Sequence, residues 1–202
     1  MYLIIDTETN GLPDCKDIPY GFYPDYKLLD RYNKARIIQL SYMLCNENIE
    51  EKELRDFVIK RENFTIDNSE FHGITNEISD NGYDFDLAIN NFIETLGKCE
   101  YIIAHNINFD VNVIKSELYR RNKLDLIEII DSKKLICTVK KFKYLVKAKN
   151  KINKIKNPSL KELYQFCFNT VNDNSLNSKY DVINLHKCIY YISKNYKSFY
   201  LK

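Results

Sequence analysis

The chain has 202 residues, of which 45% are hydrophobic and 29% are charged, a composition typical of a globular protein. We therefore expect a single domain over residues 1–202. The formal net charge of +2 is too small to indicate a polyanion partner by itself. The six cysteines are scattered and include neither a Cys-x-x-Cys pair nor the spacing of a zinc site, which favours an intracellular, cytoplasmic location. No apolar run approaches the roughly 20 residues of a membrane span, so we expect no membrane partner.

Apolar periodicity predicts a run of strands followed by alternating helices and strands. The predicted strands are Tyr2–Asp6, Arg36–Leu44, Glu53–Ile59, Glu100–Ala104 and Leu126–Asp131. The predicted helices are Asp84–Leu96, Asp110–Arg121, Ser159–Phe168 and a last helix from Ser178 to Lys194. Ser159 and Glu162 have the spacing of a capping box. This order predicts an α/β fold with a mixed central sheet flanked by helices on both faces.

Four carboxylates come from widely separated points of the chain: Asp6, Glu8, Asp110 and Asp181. Residues two apart on a strand face the same way, so Asp6 and Glu8 present their carboxylates together and Thr7 faces the other side. Asp110 and Asp181 lie near the starts of predicted helices, where the helix dipole favours negative charge. Two carboxylates about 4 Å apart repel by roughly 4 kcal/mol at an effective dielectric near 20. Such a cluster therefore needs cations.

The ligand chemistry of this cluster indicates which cations it would hold. Carboxylate oxygens without a Cys or His cluster select Mg²⁺ or Mn²⁺ over zinc or copper. Two such ions about 3.5–4 Å apart can activate a water molecule and stabilise the leaving oxygen of a phosphodiester. The sequence therefore predicts a two-metal phosphodiesterase.

Short segments in a fixed order also carry a resemblance to a known family. Ile4–Leu12 resembles the first motif of the DnaQ-like 3′–5′ exonucleases of the DEDD superfamily. Phe71–Thr75 is similar to the His-Gly-Ile-Thr segment of that family, and His105–Asp110 is similar to its second motif. Asp131–Thr138 and Ser159–Leu163 resemble its later connecting segments. The resemblance spans nearly the whole chain and implies an RNase H-like fold.

The resemblance implies hydrolysis of single-stranded DNA or RNA from the 3′ end, with release of nucleoside 5′-monophosphates. Two Mg²⁺ or Mn²⁺ ions would be held by the four carboxylates as the catalytic residues. Asp6, Glu8 and Asp181 would bind the catalytic ion, and Asp110 would reach the second. The candidate substrate-binding residues are Thr7, Thr9, Gly11, Leu12, His72, His105, Asn106 and Phe109.

Several of these candidates also have a structural interpretation. His105 and Asn106 more often orient the turn before a helix than touch substrate. His72 suits a turn packed beside the site. Leu12 and Phe109 suit stacking against the terminal nucleotide, but either could also fill the core. Both interpretations stay open for these residues.

The position of the general base departs from the family pattern. The common branch places a His five residues before the last Asp, and that position is Leu176. The other branch uses a Tyr four residues before it, and that position is Asn177. His186 follows Asp181 by five residues, roughly 140° around a helix, and is a poor substitute. Because a positioned general base contributes about 10²–10⁴-fold, the sequence predicts a slow enzyme.

Alternatives to a missing base also follow from the sequence. A residue from the Tyr-rich loop Asp14–Lys34, or Tyr180, could supply the function. A rival hypothesis is a catalytically weakened relative that binds nucleic acid 3′ ends or a polymerase partner. Lys140–Lys156 holds eight lysines and no acidic residue. Such a run is usually a solvated loop, but with interleaved aromatic residues it could also bind phosphates and stack bases.

Overall fold

A five-stranded mixed sheet forms the centre of the computed structural model, which describes residues 1–171, 177–196 and 201. The strands are β1 Tyr2–Thr9, β2 Ile37–Cys45, β3 Glu51–Val58, β4 Tyr101–Ala104 and β5 Lys134–Cys137. They lie in the order β3-β2-β1-β4-β5. The β3-β2-β1 half is antiparallel, whereas β1, β4 and β5 are parallel. The mixed sheet confirms the predicted fold class.

Helices cover both faces of this sheet. The α-helices of the described residues are α1 Ser69–His72, α2 Asn76–Asp80, α3 Phe85–Gly97, α4 Ile107–Arg120, α5 Leu124–Asp131, α6 Thr138–Val146, α7 Leu160–Phe168 and α8 Ser178–Asn195, and a 3₁₀ helix spans Leu29–Tyr32. Helices α3, α4 and α5 pack against the face that carries Leu3 and Ile5, and α6, α7 and α8 pack against the face that carries Tyr2 and Ile4. Strand β2 is buried along its whole length because both of its faces are covered. No helix of the described residues has both the length and the apolarity needed to cross a membrane.

One predicted strand is wrong. Leu126–Asp131 lies in helix α5, where Ile127 and Ile130 are buried three residues apart on one face. A short apolar run fits a buried strand and a helix equally well by periodicity, and packing against α3 and α4 decides the outcome. The strand of this region is β5, which pairs in parallel with β4 at the edge of the sheet.

Three smaller differences bear on the candidate site. Strand β1 continues to Thr9, so Asp6 and Glu8 lie within the strand and not at its end. Helix α4 begins at Ile107, three residues before the expected start. The lysine-rich run is part helix and part hairpin, because α6 continues to Val146. The capping box of α7 is confirmed, with Ser159 and Glu162 bonded in both directions.

Candidate metal centre

Three of the four predicted carboxylates meet at one point. Asp6 and Glu8 project from β1, and Asp181 projects from the first turn of α8. One carboxylate oxygen from each lies within 4.8 Å of the other two. Strand alternation gives the first two their common direction, and α8 packs on that same face of the sheet. The fold thus brings Glu8 and Asp181, which are 173 positions apart in sequence, into one cluster.

The fourth carboxylate, Asp110, lies next to this cluster and is held by Thr7. The backbone N–H and the hydroxyl of Thr7 donate to Asp110 Oδ1 at 3.0 and 2.9 Å. Thr7 faces the α4 side of the sheet, as strand alternation predicts, and Asp110 comes from the first turn of α4. Both residues are buried, with 4% and 2% of their surface exposed. Asp110 therefore approaches the cluster from the opposite face of the sheet.

Burial and mutual repulsion make these carboxylates weak acids. Burial, followed by the charges of Asp110, Asp181 and Glu8, raises the pKa of Asp6 well above its usual range. Burial and the charge of Asp181 raise the pKa of Glu8 to about 8. Burial raises the pKa of Asp110 to about 7, although the two Thr7 donors oppose that rise. Negative charge at this site is therefore unfavourable until a cation compensates it.

The donor set fits a hard divalent cation. Oxygens bound to one Mg²⁺ at about 2.1 Å lie at most about 4.2 Å apart, so the observed 4.8 Å limit closes with a small side-chain rotation. Carboxylate oxygens are the ligands that Mg²⁺ and Mn²⁺ prefer. Asp110 Oδ1 is bonded to Thr7, which leaves Oδ2 as the oxygen to face a second ion.

A buried polar network positions the helix that carries Asp181. The Ser41 hydroxyl donates to Asp56 Oδ1 at 2.8 Å, and Gln39 Nε2 donates to the same oxygen at 2.7 Å. Because the single Ser41 proton goes to Asp56, the Ser178 hydroxyl must donate to Ser41 Oγ, 2.7 Å away. Ser178 is the first residue of α8. Sequence reasoning missed this network, since none of its members belongs to a recognisable motif.

The candidate substrate residues after Glu8 fall into two groups. Thr9 is buried, and its hydroxyl donates to the carbonyl of Gly11 at 2.5 Å. Gly11 lies against the backbone of Lys34, and a Cβ added at Gly11 would stand 2.5 Å from the carbonyl oxygen of Lys34. These two residues shape the turn. Leu12, in contrast, is 74% exposed and is free to contact a nucleotide.

The histidine motifs are largely built into the fold. His72 is 2% exposed, and its Nδ1 accepts the N–H of Ile74 within the turn after α1. A carbonyl can only accept, so His105 Nε2–H donates to Pro158 at 2.9 Å, while Nδ1 lies 3.0 Å from Thr138 Oγ1. Burial lowers the pKa of His105 to about 4. His72 therefore holds the turn after α1, and His105 holds the turn that leads into the helix of Asp110.

Asn106 and Phe109 connect α4 to the long loop before β2. Asn106 has φ 79°, a left-handed conformation that Asn tolerates, and precedes the helix as its N-cap. Its Nδ2 donates to the Tyr23 hydroxyl at 2.7 Å. The Tyr23 and Phe109 rings meet edge to face at 5.6 Å. Tyr23 is a further residue that sequence reasoning did not single out.

A groove opens beside these residues, and we call it the aromatic groove. It has a volume of about 820 Å³. One wall comes from the loop after β1, with Leu12, Tyr20 and Phe22, and the other comes from residues 156–159. His105 and Asn106, from the motif that ends at Asp110, also line it.

The position of the general base lies outside the described residues, since residue 176 is not among them. Asn177 is the N-cap of α8, and its side chain makes no capping hydrogen bond. Tyr180 is 44% exposed on the first turn of α8. His186 Nε2 lies 2.7 Å from the carbonyl of Ile49, in the turn that joins β2 and β3. That turn is at the end of the sheet away from the carboxylates, so His186 does not reach them.

The chain belongs to the RNase_T family, described as Exonuclease, whose profile matches residues 3–172. The predicted resemblance to DnaQ-like exonucleases is thereby confirmed, and the chain is placed among metal-dependent nucleases. No curated protein matches the chain by sequence.

Solved structures with the same fold are also exonucleases. Exonuclease X in complex with 5′ overhanging duplex DNA is 16% identical, with a TM-score of 0.60 over 96% of this chain and 93% of that one. E. coli Exonuclease I in complex with a dT13 oligonucleotide is 13% identical, with a TM-score of 0.72 over 98% of this chain and 42% of that one. A 3′-exonuclease that recognises the histone mRNA stem-loop is 14% identical, with a TM-score of 0.61 over 96% and 82%. At these identities the likeness establishes the RNase H-like fold. The chain spans less than half the length of Exonuclease I.

Proposed function

We propose that the protein is a 3′–5′ exonuclease that hydrolyses single-stranded DNA or RNA and releases nucleoside 5′-monophosphates. The observation that carries this proposal is the meeting of Asp6, Glu8 and Asp181 within 4.8 Å, with Asp110 beside them. Four carboxylates this close together repel one another, and a pair of divalent cations would remove that cost. Membership of an exonuclease family supports the same chemistry.

In this proposal each carboxylate has a defined role. Asp6, Glu8 and Asp181 would hold the catalytic Mg²⁺ or Mn²⁺, and Asp110 would hold a second ion through Oδ2. Bound divalent ions supply water activation and charge stabilisation at the leaving 3′ oxygen. The two Thr7 donors fix the rotamer of Asp110, and the Ser178–Ser41–Asp56 network fixes the start of α8. Hydrolysis joins water to the phosphorus and breaks its bond to the 3′ oxygen.

Leucine at position 176 sets the expected rate. Without a histidine at that position, proton removal from the attacking water would depend on the ions alone, so we expect slow turnover. Leu176→His should then raise the hydrolysis rate at neutral pH, by up to about 10²-fold at the low end of the usual contribution of a general base. An unchanged rate in a folded variant would contradict this alignment of the motif.

The same leucine favours a second candidate function. A protein without a general base could retain the carboxylates and the groove yet serve to bind nucleic acid 3′ ends or a polymerase. End-labelled single-stranded DNA and RNA, incubated with Mn²⁺, separate the two candidates. Stepwise shortening from the 3′ end that is lost in Asp6→Ala supports the exonuclease. Binding without shortening in wild type supports the rival.

Two controls make that assay specific. Asp125→Asn removes one exposed carboxylate from α5, on the face of the sheet opposite Asp6, and should leave the rate unchanged. A strand whose 3′ end carries a phosphate tests direction, because an enzyme that starts from the opposite end would still shorten it. Loss of activity in Asp125→Asn would instead indicate a nonspecific effect of charge.

A further inference from the structure

A short hairpin, residues 147–156, projects between α6 and α7, and we call it the basic hairpin. Lys149 and Ile155 form its β-bridge. The N–H groups of Asn150 and Lys156 donate to the carbonyls of Lys154 and Ala148 at 2.9 and 2.8 Å. Its tip is tied by Asn150 Oδ1, which accepts the N–H groups of Ile152 and Lys154. The lysine-rich run thus has a defined backbone and is more than a solvated loop.

The positive charge of the basic hairpin is not neutralised within the described residues. Between Asp131 and Glu162 the sequence has no acidic residue. Within the hairpin, Lys156 pairs with Glu162 at 2.8 Å. No described residue forms an ion pair with the other hairpin lysines, Lys147, Lys149, Lys151 and Lys154. Four like charges held on ten residues repel one another and are stabilised by a polyanion.

The base of the hairpin forms a wall of the aromatic groove. Residues 156–159 line that groove, and Pro158 accepts the hydrogen bond from His105, five residues before Asp110. Across the groove, Tyr20 is 92% exposed and Phe22 is 62% exposed. Exposed aromatic rings and the base of the basic hairpin therefore face one groove, which His105 and Asn106 of the Asp110 motif also line.

We infer that the basic hairpin binds the phosphate backbone of a single strand on the 5′ side of the nucleotide that is removed. Tyr20 and Phe22 stack bases of the same stretch. The inference rests on the proposed function, since it takes the strand's 3′ end to lie at Asp6, Glu8 and Asp181. Its physical basis is the pairing of unneutralised lysines with phosphates and of exposed rings with bases, which together form a sequence-tolerant binding surface.

The test measures binding without cleavage, in the Asp6→Ala background, by fluorescence anisotropy over a range of salt concentrations. Single strands of about 16 and about 4 nucleotides serve as probes. Replacing Lys149, Lys151 and Lys154 by Gln removes up to three phosphate contacts, which lowers the slope of log affinity against log salt by about 2 for the long strand. When the salt concentration rises from 50 to 200 mM, affinity for the long strand falls by some factor. That factor should be about 20 times smaller for the hairpin variant than for the protein with the unsubstituted hairpin. Binding of the short strand should stay unchanged.

A matched triple variant controls for net charge. Lys52, Lys98 and Lys194 are exposed, and they lie on β3, at the end of α3 and in the last turn of α8. Replacing these three by Gln changes the net charge equally and should preserve the salt slope. Equal slopes for the two triple variants, or an unchanged slope for the hairpin variant, would overturn the inference.

Tyr20→Ala with Phe22→Ala tests the opposite wall. Loss of base stacking should weaken the long strand at least about fivefold while leaving the salt slope as in the parent. Unchanged affinity would remove the aromatic rings from the proposed binding surface. Failure of the exonuclease proposal is a separate result, because it would appear as intact strands in wild type with Mn²⁺, whatever the slopes show.

Discussion

The hydrogen bonds from Thr7 to Asp110 allow a sharp test of the metal centre. Thr7→Val removes the hydroxyl donor at 2.9 Å but keeps the side-chain shape and the backbone N–H donor at 3.0 Å. Asp110 would then lose one of the two bonds from Thr7 that hold its pKa down, so its pKa should rise further from its present value of about 7. We expect weaker binding of the ion that Asp110 contacts, while Asp6, Glu8 and Asp181 keep theirs.

The size of the effect follows from the burial of both partners. A hydrogen bond to a charged acceptor is worth about 1.5–3 kcal/mol, and both residues are almost fully enclosed, which places this one within that range. Converted at 1.36 kcal/mol per factor of ten, the loss corresponds to about a 10- to 150-fold weaker affinity for one ion.

Calorimetric titration with Mn²⁺ at mildly alkaline pH measures this loss without depending on turnover. Wild type should bind two ions, and Thr7→Val should bind one as before and one much more weakly. Thr7→Ser keeps the hydroxyl and should retain most of the affinity for the second ion. Equal titration curves for wild type and Thr7→Val would refute the role of this bond, and so would a Thr7→Ser variant as impaired as Thr7→Val.

Metal binding, the buried ring of His105 and the Ser41 network each predict a change in stability. Mn²⁺ at about 100 times its Kd should stabilise the fold by about 2.7 kcal/mol, seen as a rise in Tm that Asp6→Ala abolishes; an unchanged Tm in wild type would argue against the site. Burial lowers the pKa of His105 to about 4, below its unfolded value of about 6.5, so the native state prefers the neutral ring and stability falls as pH falls through that window. Urea unfolding should show a loss of up to about 3 kcal/mol that His105→Gln removes, and an equal pH dependence in the variant would contradict the assignment. Ser41→Ala should cost about 1–3 kcal/mol in chemical denaturation, because Asp56 and Ser178 lose a partner, whereas exposed Ser193→Ala should cost little; equal losses would count against the network.

Long, strongly patterned segments of this fold are predictable from sequence. The antiparallel pair β2–β3 and the helices α3, α7 and α8 follow from apolar spacing and, for α7, from the capping box. Leu126–Asp131 is the instructive failure, because an apolar run of this length satisfies both periods. Its helical state depends on contacts with α3 and α4, which are not local in sequence.

The carboxylates of the candidate site are predictable for a different reason. Asp6 and Glu8 share a strand face because they are two residues apart on β1. Asp110 and Asp181 are singled out among the acidic residues by the short motifs around them. Their assignment to particular ions stays a prediction. The residues that hold them in place are not predictable in this way. Ser41 reaches the site through the register of β1 with β2, in which it pairs with Asp6, and single-sequence patterns do not specify such a register.

The four carboxylates lie on three separate parts of the molecule. Asp110 belongs to the helical layer on one side of the sheet, and Asp181 belongs to the layer on the other side. A hydrogen bond from Thr7 joins Asp110 to the central strand. The proposed ion-binding centre is therefore complete only in a chain whose two helical layers have both docked on the sheet. A chain with only one layer docked would lack either Asp110 or Asp181 and, with it, the proposed hydrolytic centre.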